Sequence, residues 1–270
     1  MKITKIILIF IILTASFYVV FNNFVFNKIQ EEQSYSLEGF TPAPTSPTPE
    51  TTATRTPRPT ITPQPSRTPG VTDSYVLHGV PFTPQAPFGE WNDPRQADAC
   101  EESSAIMAMA WARGDTSFTL EDAKTKIIAI SEYELANHGS FTDTSAFDTV
   151  ERIFKGYFGY NNVELRYDIS IADIKEALFD GHLVMVPANG QKLGNPYFTP
   201  PGPLRHMLVI RGYDVSQKQF LTNDPGTRRG ELYAYSENVL FEAIRDYATG
   251  DHIPIPPERT AMIVIKKSVL

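Results

Sequence analysis

Gln96-Ala97-Asp98-Ala99-Cys100-Glu101-Glu102 runs directly into the apolar stretch Ala105-Ile106-Met107-Ala108-Met109-Ala110-Trp111. Asp98 followed three residues later by Glu101 has the spacing of a capping box, which predicts a helix starting here with Cys100 in its first turn. Unpaired N–H groups and the helix dipole favour negative charge at that position, so the thiol is expected to lean toward thiolate, its reactive form. The competing reading is a small buried hydrophobe, the usual state of a free cysteine. The helix start leaves both open, and the partners of the sulfur must decide.

Outward from this helix, Thr119-Leu120-Glu121-Asp122 opens a second helix toward Asn137, with Ile127, Ile128 and Ile130 on its apolar side. Ser170-Ile171-Ala172-Asp173 opens a third that should stop at Gly181, and Ser236 caps a fourth expected to run through Val239, Phe241, Ile244 and Tyr247. Strand signals fall at Leu183–Val186, Met207–Ile210, Phe220–Thr222 and Ala261–Ile265, all aliphatic or β-branched and bounded by turn residues. Helices come early and strands late. That order predicts an α+β fold, with helices segregated to one side of a mostly antiparallel sheet.

A thiol nucleophile needs a base, and the base needs a group to orient it. Of the five histidines, His78, His138, His182 and His252 sit at a domain start, a helix end, a turn and a loop, where structural roles are usual. His206 differs. It follows Pro200-Pro201-Gly202-Pro203-Leu204-Arg205 and opens Met207-Leu208-Val209-Ile210, after which the chain turns around Asp214–Lys218 and returns through Phe220-Leu221-Thr222-Asn223-Asp224-Pro225-Gly226. Counting outward from the turn of this hairpin, His206 falls within about two residues of Asp224. An imidazole and a carboxylate at the open end of a hairpin are what the second and third members of a triad require. A strand-end histidine and a turn-forming aspartate would look the same locally.

Val80-Pro81-Phe82-Thr83-Pro84-Gln85, a cysteine opening a helix, Gly202-Pro203-Leu204-Arg205-His206 before Met207-Leu208-Val209-Ile210-Arg211-Gly212-Tyr213-Asp214, and Asn223-Asp224-Pro225-Gly226 together resemble cysteine peptidase family 39, in its stand-alone, papain-like branch. The resemblance covers residues 75–270. It implies a papain-like fold whose N-terminal catalytic helix packs on the sheet, with Cys100 as nucleophile, His206 as base, Asp224 as orienting group and Gln85 supporting the oxyanion hole. Gln85 lies about fifteen residues before Cys100, a longer spacing than usual, and Gln96 is the alternative. Where many members have Cys-Gly-Pro, this chain has Cys100-Glu101-Glu102, two acids that oppose thiolate formation unless they point away. The transporter-fused members that trim leader peptides are not a guide to substrate, because this chain has neither transporter helices nor an ATPase signature.

Residues 73–270 therefore read as the catalytic domain, and two further zones precede it. Residues 1–30 carry Lys2 and Lys5 ahead of an apolar run from Ile6 to Val20 that continues through Phe21, Phe24, Val25 and Phe26. Together these span about 20 residues, enough for a bilayer core, with the amino terminus expected in the cytoplasm and the rest exported. A cleaved signal peptide is the rival; Leu13-Thr14-Ala15 is a mediocre cleavage site and the aromatic tail argues for retention. Residues 31–72 are Pro/Thr-rich, with almost no large apolar side chains in Thr41–Pro49 and Arg55–Thr60, which predicts a disordered stalk extending at about 3.1 Å per residue. A single cysteine in 270 residues excludes an intramolecular disulfide, and a net charge of −7 with scattered basic residues gives no support for nucleic-acid binding.

The sequence thus predicts a membrane-anchored, extracytoplasmic thiol hydrolase acting on peptide bonds. No metal or cofactor is implied, since the Cys cluster and His-Glu-x-x-His spacing of common sites are absent. A cell-wall peptide amidase or endopeptidase would use the same triad. A catalytically silent binding module on a stalk is the non-enzymatic alternative.

Overall fold

In a computed structural model of the chain, the described residues are 74–250 and 259–267. The expected anchor (1–30) and stalk (31–72) lie outside them, as does His252. No helix among the described residues is long and apolar enough to cross a membrane.

The architecture is a mixed α+β one: helices packed on a seven-stranded sheet in which every pairing is antiparallel. The strands are β1 (Tyr75–Val76), β2 (Val163–Tyr167), β3 (Leu183–Ala188), β4 (His206–Asp214), β5 (Gln219–Asn223), β6 (Tyr233–Ser236) and β7 (Ala261–Ile265). They lie in the order β2-β7-β3-β4-β5-β6, with β1 added beside the far end of β4. The central strands β3, β4 and β7 are buried almost throughout, so their runs are continuously apolar rather than alternating.

The helices are α1 (Pro94–Ala97), α2 (Cys100–Arg113), α3 (Leu120–His138), α4 (Ala146–Asp148, continuing as π-helical turns over Thr149–Tyr157), α5 (Ile171–Phe179), α6 (Gly190–Leu193) and α7 (Glu237–Ala243). Thr119 and Ser170 cap α3 and α5 through complete capping boxes with Asp122 and Asp173. Helix α2 is buried from Cys100 to Ala112, which its alanines and serines permit by letting the helix approach its neighbours closely. Ser104 Oγ donates to Met207 O at 3.1 Å and fastens the start of α2 to the start of β4.

Two local expectations are corrected. Asp98 does not cap α2. Asp93, whose side chain accepts from Arg95 N–H, and Pro94 nucleate the short α1, and Asp98 is spent as its C-cap, donating its N–H to Pro94 O. Helix α2 then starts from Ala99 with no side-chain cap. The helix after Ser236 also ends earlier than expected, at Ala243. Ile244 is extended and bridges Ala188 at the end of β3, because the sheet edge offers its backbone a partner that another helical turn would forgo.

Candidate active site

The hairpin β4–β5 builds the first half of the site. Val209 pairs with Asn223 and Ile210 with Thr222, then a bulge at Arg211 shifts the register so that Gly212 faces Leu221. Continued past the strand end, this register puts Asp224 opposite Leu208, on the same face as His206 two residues along. Such diagonal neighbours are within reach of long side chains. His206 Nε2 lies 2.8 Å from Asp224 Oδ1, with both side chains essentially inaccessible.

Asp224 is held from several directions. Gly226 N–H donates to Oδ1 at 2.9 Å and Tyr235 O–H donates to Oδ2 at 2.6 Å. Asn195 Nδ2 donates in turn to the Tyr235 hydroxyl at 2.7 Å. Burial alone would push the Asp224 carboxyl up, but the His206 charge and these donors outweigh it and hold the group below its usual range. An ionised Asp224 accepts only, so Nε2 carries the hydrogen of this contact, and in the neutral imidazole Nδ1 then keeps its lone pair. Gly226 is required by space: a Cβ there would come within 3.0 Å of His206 Cε1 and 2.7 Å of the Phe198 ring.

The bulge residue Arg211 connects this hairpin to the segment before α1. Its guanidinium donates to Leu77 O, Val80 O and Asn223 Oδ1, and Asn223 Nδ2 donates to Pro81 O. Gln85 N–H then donates to Pro225 O at 2.8 Å, beside Asp224. Gln85 Nε2 donates to Ala97 O at 2.6 Å and Gln96 O at 3.2 Å, next to the start of α2. Gln96 faces elsewhere, donating to Glu90 at 3.2 Å, and of the two glutamines only Gln85 lines the cleft described next.

Cys100, Glu101, Gln85 and His206 line one open cleft of about 1430 Å³. The loop between α6 and β4 supplies another wall through Tyr197, Phe198, Thr199, Gly202, Pro203 and Leu204. Phe88, Trp91, Tyr197 and Leu204 stand exposed around it.

The sulfur itself departs from expectation. Glu101 does not point away: Cys100 Sγ donates to Glu101 Oε2 at 3.0 Å, and Tyr247 O–H donates to Oε1 at 2.5 Å. Glu102 is also fully buried, taking a bond from Ser131 Oγ at 3.0 Å on one oxygen while the other has no partner. Burial, the charge and hydrogen bond of Glu101, and Glu102 push the Cys100 thiol well above its ordinary range, against a hydrogen bond from the Met207 backbone that lowers it. The expected thiolate bias is therefore reversed in this state. The magnitudes explain why: a helix end is worth about 0.3–1 kcal/mol to a charge, whereas a like charge at about 4 Å is worth roughly 4 kcal/mol at an effective dielectric of about 20.

Asn195, Tyr235, Tyr247 and the buried Glu134 take part in or beside this site without a local signal in the sequence. Tyr235 is an ordinary alternating residue of β6, and Asn195 and Tyr247 lie in loops. Glu134 alone had one: it continues the buried stripe Ala123, Ile127, Ile130 of α3, where an acid is out of place. Among the described residues, no group of three or more His, Cys, Asp or Glu side chains is arranged to hold a metal ion.

Fold and site together define an α+β protein that sets a buried thiol and a histidine–carboxylate pair along one cleft. The model of the Peptidase_C39 like family matches residues 77–248, and the chain belongs to that family. The match takes in Gln85, Cys100, His206 and Asp224. Among solved structures, one from Bacillus anthracis, described as a C39-like peptidase, aligns at 16% identity with a TM-score of 0.42, covering 73% of this chain and 100% of the other. No curated protein matches the chain.

Proposed function

We propose that the chain is a papain-like cysteine peptidase in which Cys100 attacks the carbonyl of a peptide bond. Family membership points to a cysteine-type peptidase acting on peptide or protein. The observation that carries the residue roles is the 2.8 Å contact of His206 Nε2 with Asp224 Oδ1, on the same cleft as Cys100. With Nε2 occupied, Nδ1 is the nitrogen that takes the thiol proton and returns it to the leaving amine. Asp224 fixes the tautomer. The oxyanion of the tetrahedral intermediate is met by the Cys100 backbone N–H and by Gln85, whose longer bond to Gln96 O is the one substrate replaces. The exposed aromatic rim of the cleft suits an extended peptide better than a small polar substrate.

The thiol's hydrogen bond into Glu101 is the one observation that favours a catalytically silent binding module. Incubating the full chain with a peptide library, and Cys100→Ala beside it, separates the two: cleavage products that disappear in the variant support the peptidase, and no products from either sink it. Cross-linked cell-wall peptide included as a second substrate distinguishes a wall endopeptidase from a general one.

We further propose that residues 1–30 anchor the protein in the cell membrane and 31–72 hold the catalytic domain outside, on the composition of those segments. Protease added to intact cells should then release a soluble domain; resistance until the membrane is broken would reverse the orientation.

A further inference from the structure

The mechanism above leaves one buried group at the sulfur without a role. Glu101 is 1% exposed, and both of its oxygens are engaged, Oε2 by the Cys100 thiol at 3.0 Å and Oε1 by the Tyr247 hydroxyl at 2.5 Å. The same hydroxyl lies 3.4 Å from His206 O, so the arrangement joins the segment after α7, the start of α2 and the start of β4. A carboxylate that accepts the thiol hydrogen favours the neutral sulfur, because a thiolate beside it would face a like charge. A carboxylic acid in the same place has a hydrogen to offer the sulfur instead.

We propose that Glu101 is a positioning residue governing the charge of Cys100: ionised, it accepts the thiol hydrogen and keeps the sulfur neutral; protonated, it donates to the sulfur and lets the thiol proton pass to His206. In the second state the S–H proton moves to Nδ1, leaving a thiolate and an imidazolium, while the carboxyl O–H of Glu101 stays on its oxygen and hydrogen-bonds the thiolate. No proton is lost or gained within the site. The proposal rests on the peptidase reading for its consequence in turnover, though not for its effect on the sulfur.

The surroundings place the transition near neutrality. Glu101 is faced by Cys100 and Glu102 on its own helix, by Glu134 from α3, by Tyr247, and by Asp143 from the loop after α3, which is itself ion-paired at 3.4 Å with Arg205, a lining residue of the same cleft beside His206. Burial drives its carboxyl up, the bonds from Tyr247 and Cys100 pull it down, and Asp143 adds to the rise, leaving it at about 7. The enzyme should therefore lose activity as pH rises through about 7, the opposite of a cysteine peptidase limited only by ionisation of a free thiol.

Cys100 is the only cysteine, so alkylation by iodoacetamide reads its sulfur alone. The test measures alkylation rate and peptide kcat/KM of the full chain against pH, for the wild type, Glu101→Gln and Tyr247→Phe. In Glu101→Gln, alkylation near neutral pH should quicken by about tenfold or more, one unit of thiol pKa, and kcat/KM should no longer fall above about pH 7. Tyr247→Phe removes a bond that favours ionised Glu101, so the fall should move to higher pH; this variant decides the matter if Glu101→Gln does not fold. Unchanged profiles in both variants, or a folded Glu101→Gln inactive at every pH, would overturn the proposal, the latter by making Glu101 the base itself. Shifted alkylation without any peptide hydrolysis would instead retain this proposal and defeat the peptidase reading.

Discussion

Asp224 and Glu102 are both carboxylates with no exposure to solvent, yet they lie on opposite sides of the ordinary range. At the open end of the β4–β5 hairpin, Asp224 receives His206, Tyr235 and the Gly226 N–H, and its carboxyl is held low. At the start of α2, Glu102 has one serine hydroxyl and one oxygen without a partner, and burial together with the charges of Glu134 and Glu101 pushes it well up. Burial is common to both sites. What differs is the company each charge keeps, an imidazole and several donors around Asp224 against two further carboxylates and one hydroxyl around Glu102, so neighbours rather than depth decide which buried acid is ionised. On the base side Asp224 is held ionised and oriented against His206, while burial and the acids at the start of α2 keep the nucleophile side neutral.

If the two sides act as one unit, removing either should cost nearly the same. His206→Ala is expected to lower kcat by at least about 10³-fold, with the double variant Cys100→Ser/His206→Ala little worse than either alone. Additive losses would break the comparison by showing that the halves work separately. Asp224→Asn follows, with an expected loss of about 10²–10⁴-fold in kcat, because the amide favours the wrong imidazole tautomer. A carboxamide facing the Tyr235 hydroxyl and Gly226 N–H also leaves a donor poorly matched, costing about 1–3 kcal/mol in denaturant unfolding.

The third expectation concerns stability at the acidic end of α2. Glu134, on α3, has its carboxyl raised to about 8 by burial and by the Glu101 charge, from an ordinary value of 4.5. The folded state therefore holds a proton that the unfolded state has released between these values. That contribution is fully present below about pH 4.5 and is lost as pH rises through about 8. Thermal unfolding should show Tm falling across this window, by on the order of a few kcal/mol in stability, and Glu134→Gln should flatten the fall. A Tm that rises over the same range would mean the acids of this end are paired after all. The smallest effect belongs to Tyr235→Phe, which removes one of several donors to Asp224. It should cost about 1 kcal/mol and move the acid limb of the pH–rate profile upward, since Asp224 then ionises less readily.

The sequence by itself determined the elements with strong local chemistry. The helix starts at Thr119 and Ser170, the apolar strands and the hairpin count that put His206 within reach of Asp224 are all short-range, carried by spacing along neighbouring stretches of chain. The α+β class followed from their order, and the family from motifs along the same stretches. Asp98 was misread because it lies between a short helix and a long one, and only Pro94 and Asp93 upstream settle that it ends the first. The partners of Asp224 and Glu101 were beyond reach for a different reason. Tyr235 and Tyr247 come from separate elements brought together by the sheet order and the packing of α2, and nothing in their own neighbourhoods marks them. The charge of the sulfur was decided at that level too: a helix start acts through fixed, weak dipoles, whereas burial and the aim of the Glu101 side chain depend on everything packed around α2.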